Sequence, residues 1–282
     1  FDAMSNFNLK ETIDSDVDLA IKEDLGSGDL TSSLIPAEKI GQGAILSRVD
    51  CVLSGSAWAN ATFQKLDPSI TLDWQYQDGD RVAAGEIICK LQGPARALLT
   101  GERTALNFLQ TLSAVATKTR RYVDAISHTK ATILDTRKTL PGLRKALKYA
   151  VRVGGGKNHR IGLYDGVLIK ENHITASNGI TAALAATRHI DKTIPIQVEV
   201  ESLEQLKEAL DNGANLILLD NFTVSQMKDA VALTNKRALL EASGGITMSS
   251  IVAIAETGVD RISIGTLTKD IDSIDLSMRL VF

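Results

Sequence analysis

Nine lysines and arginines crowd residues 137–170 against a single acid, Asp165, a local charge of +8 in a chain whose net charge is −3. A mildly acidic protein that concentrates cations in one segment is equipped to gather an anion at one place rather than to coat a polyelectrolyte. Two motifs there carry suitable chemistry. Asp135-Thr136-Arg137-Lys138-Thr139 sets a planar guanidinium fork, a point-like ammonium and two hydroxyls side by side. Further on, Gly154-Gly155-Gly156-Lys157-Asn158-His159-Arg160 places cations beside glycines that would let backbone come close to a bound molecule. Lys170 then closes the apolar run Val167-Leu168-Ile169. Arg144–Arg152 alone would read as a solvated basic helix; the neighbouring motifs favour an anion pocket.

Carboxylates and glycine-rich turns follow. Glu199 and Glu201 alternate with Val198 and Val200, which puts both acids on one face of a strand. Such a pair suits Mg²⁺, sugar hydroxyls or a structural salt bridge, and Asp220, at the end of Leu216–Leu219, invites the same readings. Ser243-Gly244-Gly245 precedes a helix expected over 248–257, and Gly265-Thr266 follows the run Arg261–Ile264. Glycine-rich backbone at a helix N-terminus offers N–H groups to phosphate, so two such turns on consecutive strands point to a bound phosphate.

These residues need a scaffold that collects them. Short apolar runs at 132–134, 167–169, 196–200, 216–219, 238–240 and 261–264 alternate with helical segments, at intervals of 21 to 35 residues. Each ends in a polar or glycine residue. Repeated strand–helix units with functional residues at the strand C-termini describe a parallel α/β barrel, and six runs, or seven, leave it incomplete. Before residue 113 the texture is mixed: a helix over 16–24, glycine-punctuated strands from Gly43 to Leu91, and a helical pattern from Ala95 to Thr129 expected to break into two or more helices. The stretch around Asp78-Gly79-Asp80 has the spacing of a lipoyl or biotinyl carrier turn but lacks the lysine such a turn needs.

Composition narrows the function. The chain has 282 residues, 44% apolar and 23% charged, enough for about two domains. Aromatics at 4% and a near-neutral balance argue against nucleic acid, and no apolar run approaches a membrane span. With no signal peptide and two cysteines, Cys51 and Cys89, lacking metal spacing, the expectation is a cytoplasmic protein with reduced thiols. Phe1–Ala3, ahead of Met4, read as foreign to the natural start. No Ser-His-Asp, Cys-His or zinc pattern is present in the sequence.

The motifs together resemble the quinolinate phosphoribosyltransferase family across nearly the whole chain: Glu23-Asp24-Leu25-Gly26, Leu99-Thr100-Gly101-Glu102-Arg103-Thr104, Asp135 to Arg144, Asn158-His159-Arg160, Leu168-Ile169-Lys170-x-Asn172-His173, Leu219-Asp220-Asn221 and Ser243-Gly244-Gly245. Ala114 departs from the glycine common there. The resemblance implies an N-terminal α/β sandwich domain (1–113, rejoined by 271–282) and an open, incomplete barrel (114–270). It also implies phosphoribosyl transfer from 5-phosphoribosyl 1-diphosphate to quinolinate with decarboxylation, giving nicotinate mononucleotide. Arg103, Thr136, Arg137, Lys138, His159, Arg160 and Lys170 would then bind substrate, with Lys138 and Lys170 stabilising charge. Glu199 and Asp220 would meet ribose and Mg²⁺, directly or through the donor, and Ser243, Gly244, Gly245, Ile264, Gly265 and Thr266 would hold the donor phosphate. A homodimer, or a higher assembly, in which Arg103 reaches the partner's site is also implied. The competing readings are a paralogue of the same fold, such as the molybdenum-associated homologue, using another acceptor, and a non-catalytic anion sensor.

Overall fold

Helix α1 (Leu9–Leu25) begins where Asn8 accepts a hydrogen bond from the Glu11 amide, satisfying one of the N–H groups a helix start leaves open. The computed structural model describes residues 8–281, so Phe1–Ala3 lie outside the described residues. Strands β1 (Ile40–Ser47), β2 (Cys51–Val52), β3 (Thr71–Trp74), β4 (Arg81–Val82) and β5 (Ile87–Pro94) alternate with helix α2 (Ser56–Leu66). Helix α3 (Ala95–Ala125) follows without the expected break. Its buried residues Leu98, Ala105, Leu106, Leu109, Leu112 and Val115 recur at helical spacing. Its one glycine, Gly101, serves close packing: a Cβ there would meet Phe63 and Leu66 of α2 at 2.8–3.0 Å.

From residue 132 parallel strands alternate with helices: β6 (Thr132–Leu134), α4 (Arg144–Val153), β7 (Val167–Ile169), α5 (Glu171–Ala176), α6 (Ile180–Ala186), β8 (Ile196–Val200), α7 (Leu203–Asp211), β9 (Leu216–Asp220), α8 (Val224–Thr234), β10 (Leu239–Ser243), α9 (Ile251–Ala255), β11 (Arg261–Ser263) and α10 (Thr266–Lys269). Strand β12 (Leu276–Val281) closes the chain and pairs antiparallel with β1.

The chain divides into two units. One holds the described residues 8–120, 140–155 and 267–281; the other holds 121–139 and 156–266. In the first, β12, β1, β5 and β3 form an antiparallel sheet over a core that includes Ile45, Phe63, Ile88, Leu98 and Leu106. Cys51 and Cys89 are free and buried there, and burial pushes the Cys89 thiol up to about 12. In the second, six parallel strands run in the order β6-β11-β10-β9-β8-β7. Strand β9 is buried along both faces, as a parallel strand covered by helices requires. Strands β6 and β7 are opposite edges of this sheet, so the barrel is open, as expected. A single parallel bridge between Leu134 and Lys157 extends the β6 edge toward a seventh strand. Among the described residues no helix is long and apolar enough to cross a membrane.

Candidate active site

Strand register decides which side chains meet in the barrel unit. Asp220 is paired directly with Ser243, Glu199 with Leu218, and Leu134 with Ser263, so the loops after β6, β8, β9, β10 and β11 emerge from one end of the sheet. That is the C-terminal end, where parallel α/β folds keep their chemistry.

The Asn158-His159-Arg160 loop is anchored from beneath. Asp135, fully buried at the end of β6, accepts hydrogen bonds from the His159 amide (2.8 Å) and Asn158 Nδ2 (2.5 Å). A buried carboxylate is tolerated only with such partners, and here it ties the Asn158-His159-Arg160 segment to the strand carrying Thr136, Arg137 and Lys138. Asp165 closes the other side of the loop, accepting from the Ile161 and Gly162 amides at 2.7 and 2.8 Å. Arg160 is 7% exposed and donates from Nη1 to the Gly166 carbonyl at 3.0 Å. Burial, and after it the Arg137 guanidinium alongside, hold the Arg160 guanidinium below its ordinary pKa, with Asp165 opposing. Two cations brought together against their mutual repulsion make a site that an anion would relieve.

A mixed cluster sits beside it. Lys170 Nζ lies 3.8 Å from Glu199 Oε2. Burial raises the Glu199 carboxyl above the usual range; Asp220 and Glu201 push the same way, and Lys170 and Lys138 oppose. Glu201 lies beyond the end of β8 and is exposed, with its amide donating to Gln205 Oε1. The strand thus stops one residue short of Glu201, yet both acids still face one cavity. Glu199, Glu201, Glu171, Thr175 and Gln205 line a cavity of about 200 Å³.

The glycine turns differ from expectation. Helix α9 starts only at Ile251, eight residues beyond Ser243, so the Ser243-Gly244-Gly245 turn does not abut a helix N-terminus. What the turn offers is backbone, in which Gly244 (φ +107°) and Gly245 (φ +57°) adopt the left-handed region that glycine enters freely. A Cβ on Gly244 would fall 2.1 Å from Asn221 Oδ1, whereas one on Gly245 would meet open space. Asn221 itself has φ +57°, gives its amide to the Ser243 carbonyl and donates from Nδ2 to Asp220 Oδ2 at 3.0 Å. Beside the next turn, the position of a Gly265 Cβ lies 3.0 Å from Lys138 Cδ and 3.6 Å from Thr136 Oγ1. Lys138 thus crosses over the Gly265-Thr266 turn, a cation that the local sequence of that turn does not contain. Gly154 serves packing rather than a ligand, since a Cβ there would meet the Ala116 carbonyl and Thr119 of α3 at 2.6 Å. Arg103 is exposed on α3, in the other unit.

Residues 115–279 match the model of the quinolinate phosphoribosyl transferase C-terminal domain, and residues 29–113 that of its N-terminal domain. The chain belongs to the quinolinate phosphoribosyltransferase family. Within that family it is 44% identical over 257 residues to a probable nicotinate-nucleotide pyrophosphorylase (carboxylating) of Bacillus subtilis, covering 91% of this chain and 89% of that one. It is 43% identical to the enzyme of that name from Mycobacterium leprae, covering 93% and 94%. Among solved structures, the nicotinate-nucleotide pyrophosphorylase of Francisella tularensis superposes with a TM-score of 0.95 at 42% identity, covering 98% of each chain.

In the barrel unit, Asp135 and Asn221 stand in the sequence motifs with no role assigned, and the sequence reading passes over Gln197 and Glu241. Gln197 and Glu241 are wholly buried inside the apolar runs of β8 and β10. A polar or charged residue within a strand run was the available signal.

Proposed function

We propose that this protein transfers the phosphoribosyl group of 5-phosphoribosyl 1-diphosphate to quinolinate and releases diphosphate and CO₂, giving nicotinate mononucleotide for de novo NAD synthesis. Family membership and the names of the relatives support the reaction. The observation that carries the acceptor assignment is the buried Asp135, whose hydrogen bonds to the His159 amide and Asn158 Nδ2 tie the segment bearing the buried Arg160 to the strand end bearing Arg137, two guanidiniums suited to a compact dicarboxylate.

In this reading the quinolinate carboxylates face Arg137 and Arg160, with Lys170 and Thr136 nearby. Its ring nitrogen attacks ribose C1 as the bond to diphosphate breaks. The bond from C2 to its carboxylate then breaks, CO₂ leaves, and the electron pair left at C2 takes a proton. Positive charge on the ribose in the transition state is met by Glu199 and Asp220, and negative charge on the leaving diphosphate by Lys170. Positioning and electrostatics supply the catalysis, with no covalent protein intermediate. The Ser243–Gly245 and Ile264–Thr266 turns hold the 5-phosphate, joined by Lys138.

Mg²⁺ belongs to this proposal in a restricted form. Among the described residues no three acids, histidines or cysteines are grouped as a metal cage. Glu199 and Asp220, close enough to interact electrostatically, suit a cation held jointly with the donor's diphosphate, the usual manner for Mg²⁺. A homodimer in which Arg103 completes the partner's acceptor pocket rests on family resemblance and on the exposure of that side chain. Free buried cysteines support a cytoplasmic setting. The test is turnover of quinolinate labelled in its 2-carboxylate: labelled CO₂ and nicotinate mononucleotide should appear in equal amounts. Mononucleotide retaining the label would refute the reading.

A further inference from the structure

Three buried polar side chains from separate elements form a chain behind the acceptor loop. His159 Nε2 lies 2.9 Å from Gln197 Oε1, and Gln197 Nε2 donates to Glu241 Oε2 at 2.9 Å. Gln197 and Glu241 are 0% exposed. The other oxygen of Glu241, Oε1, makes no hydrogen bond and lies 3.5 Å from His159 Nε2. A carboxylate enclosed in a parallel barrel with one oxygen so poorly satisfied burdens the fold and needs a reason to be there.

The direction of every bond in the chain is set by its two ends. At one end the Arg160 amide, which can only donate, lies 2.9 Å from His159 Nδ1. Nδ1 must therefore accept, and the neutral ring carries its proton on Nε2. At the other end Gln197 donates from Nε2 to Glu241 Oε2, which, as a carboxylate oxygen, accepts, so the Gln197 oxygen is turned toward His159. A reversed Gln197 amide would present N–H to His159 Nε2, force the ring proton to Nδ1 and set it against the Arg160 amide.

We infer that Glu241 is a positioning residue for acceptor recognition: acting through Gln197, it holds His159 as the Nε2–H tautomer, and His159 Nδ1 in turn fixes the Arg160 main chain so that its guanidinium is aimed at the acceptor. His159 then supports the pocket from behind. The inference rests on the proposal that Arg160 binds the acceptor's carboxylate.

Two measurements test it. The first needs no substitution. Long-range ¹H–¹⁵N spectra of protein labelled at the histidine ring nitrogens, with His159 assigned by the loss of its signals in His159→Asn, should show Nε2 protonated and Nδ1 bare. A proton on Nδ1, or a mixture of tautomers, would overturn the inference. The second is kinetic. Glu241→Gln keeps shape but no longer enforces the direction of the chain; it should raise KM for quinolinate about tenfold or more while the donor KM stays within about twofold. The double variant Gln197→Glu/Glu241→Gln places the carboxylate against the ring, again enforces the Nε2–H form, and should bring KM back to within about threefold of wild type. A merely structural role would leave isosteric Glu241→Gln unchanged. An unchanged quinolinate KM in Glu241→Gln, or a double variant no better than the single, would overturn the inference. Failure of the functional reading shows differently: the wild-type enzyme would form no mononucleotide from quinolinate, whatever the tautomer of His159.

Discussion

Replacing Arg160 by methionine separates binding from folding. The side chain keeps its length and apolar stem but loses the guanidinium. If that group meets a carboxylate of the acceptor, its removal forfeits a charge-assisted contact worth about 1.5–3 kcal/mol, a loss of roughly 10- to 150-fold in affinity. Stability should respond quite differently. The variant loses the Nη1 hydrogen bond to the Gly166 carbonyl, which destabilises. It also loses a buried cation held beside Arg137, which burdens the unliganded fold, as its lowered pKa indicates. The two effects oppose, so the net change should stay within about 1 kcal/mol, or about 4 °C in Tm. Calorimetric titration with quinolinate and with the phosphoribosyl donor, alongside thermal melts, reads both quantities. A Tm fall above about 10 °C with quinolinate affinity reduced less than threefold would show Arg160 to be structural and refute the assignment.

In the phosphate turn, Gly244→Ala should lower Tm and weaken the donor together, because its Cβ strikes Asn221, whereas Gly245→Ala should cost only about 1–2 kcal/mol of backbone strain; equal melting curves for the two would contradict this geometry. The raised Glu199 carboxyl means the folded state binds that proton more tightly than the unfolded chain, so its contribution to stability is lost as pH rises from the ordinary carboxylate range through the raised value. Glu199→Gln should therefore melt higher relative to wild type at pH 8 than at pH 4 while turnover falls; a difference in Tm independent of pH would count against the buried charge. Arg103→Ala and Lys170→Ala, each inactive alone, should regain up to about half of wild-type activity per hybrid dimer when mixed, since one site of two is then intact. No recovery after proven subunit exchange would rule out a shared site.

Much of the barrel was legible because parallel strands read as short apolar runs ending in functional residues, as at the fully covered Leu216–Leu219 before Asp220 and the half-buried edge strand Val167–Ile169 before Lys170. What was missed lies in relations that no local pattern records. Glu201 alternates with Glu199 and lines the same cavity although the strand ends at Val200, but its exposure beyond the strand end was not visible in the alternation. Helix α3 runs unbroken because Gly101 is a packing contact rather than a breaker. The turn after β10 lacks an adjoining helix, since Thr247–Ser250 form a hydrogen-bonded turn before α9 begins. Gln197 and Glu241 meet across 44 residues of sequence through the register of β8, β9 and β10. Lys138 reaches over Gly265 for the same reason, through the pairing of β6 with β11.

The central claim is that the paired guanidiniums select a dicarboxylate acceptor. Its most direct test is kcat/KM for quinolinate against nicotinate, which lacks the 2-carboxylate, with the same donor and Mg²⁺. An acceptor that leaves a buried cation unmet forfeits roughly 1–3 kcal/mol per group, so quinolinate should be preferred by at least tenfold and by up to several hundredfold. Equal values for the two acceptors would contradict the account.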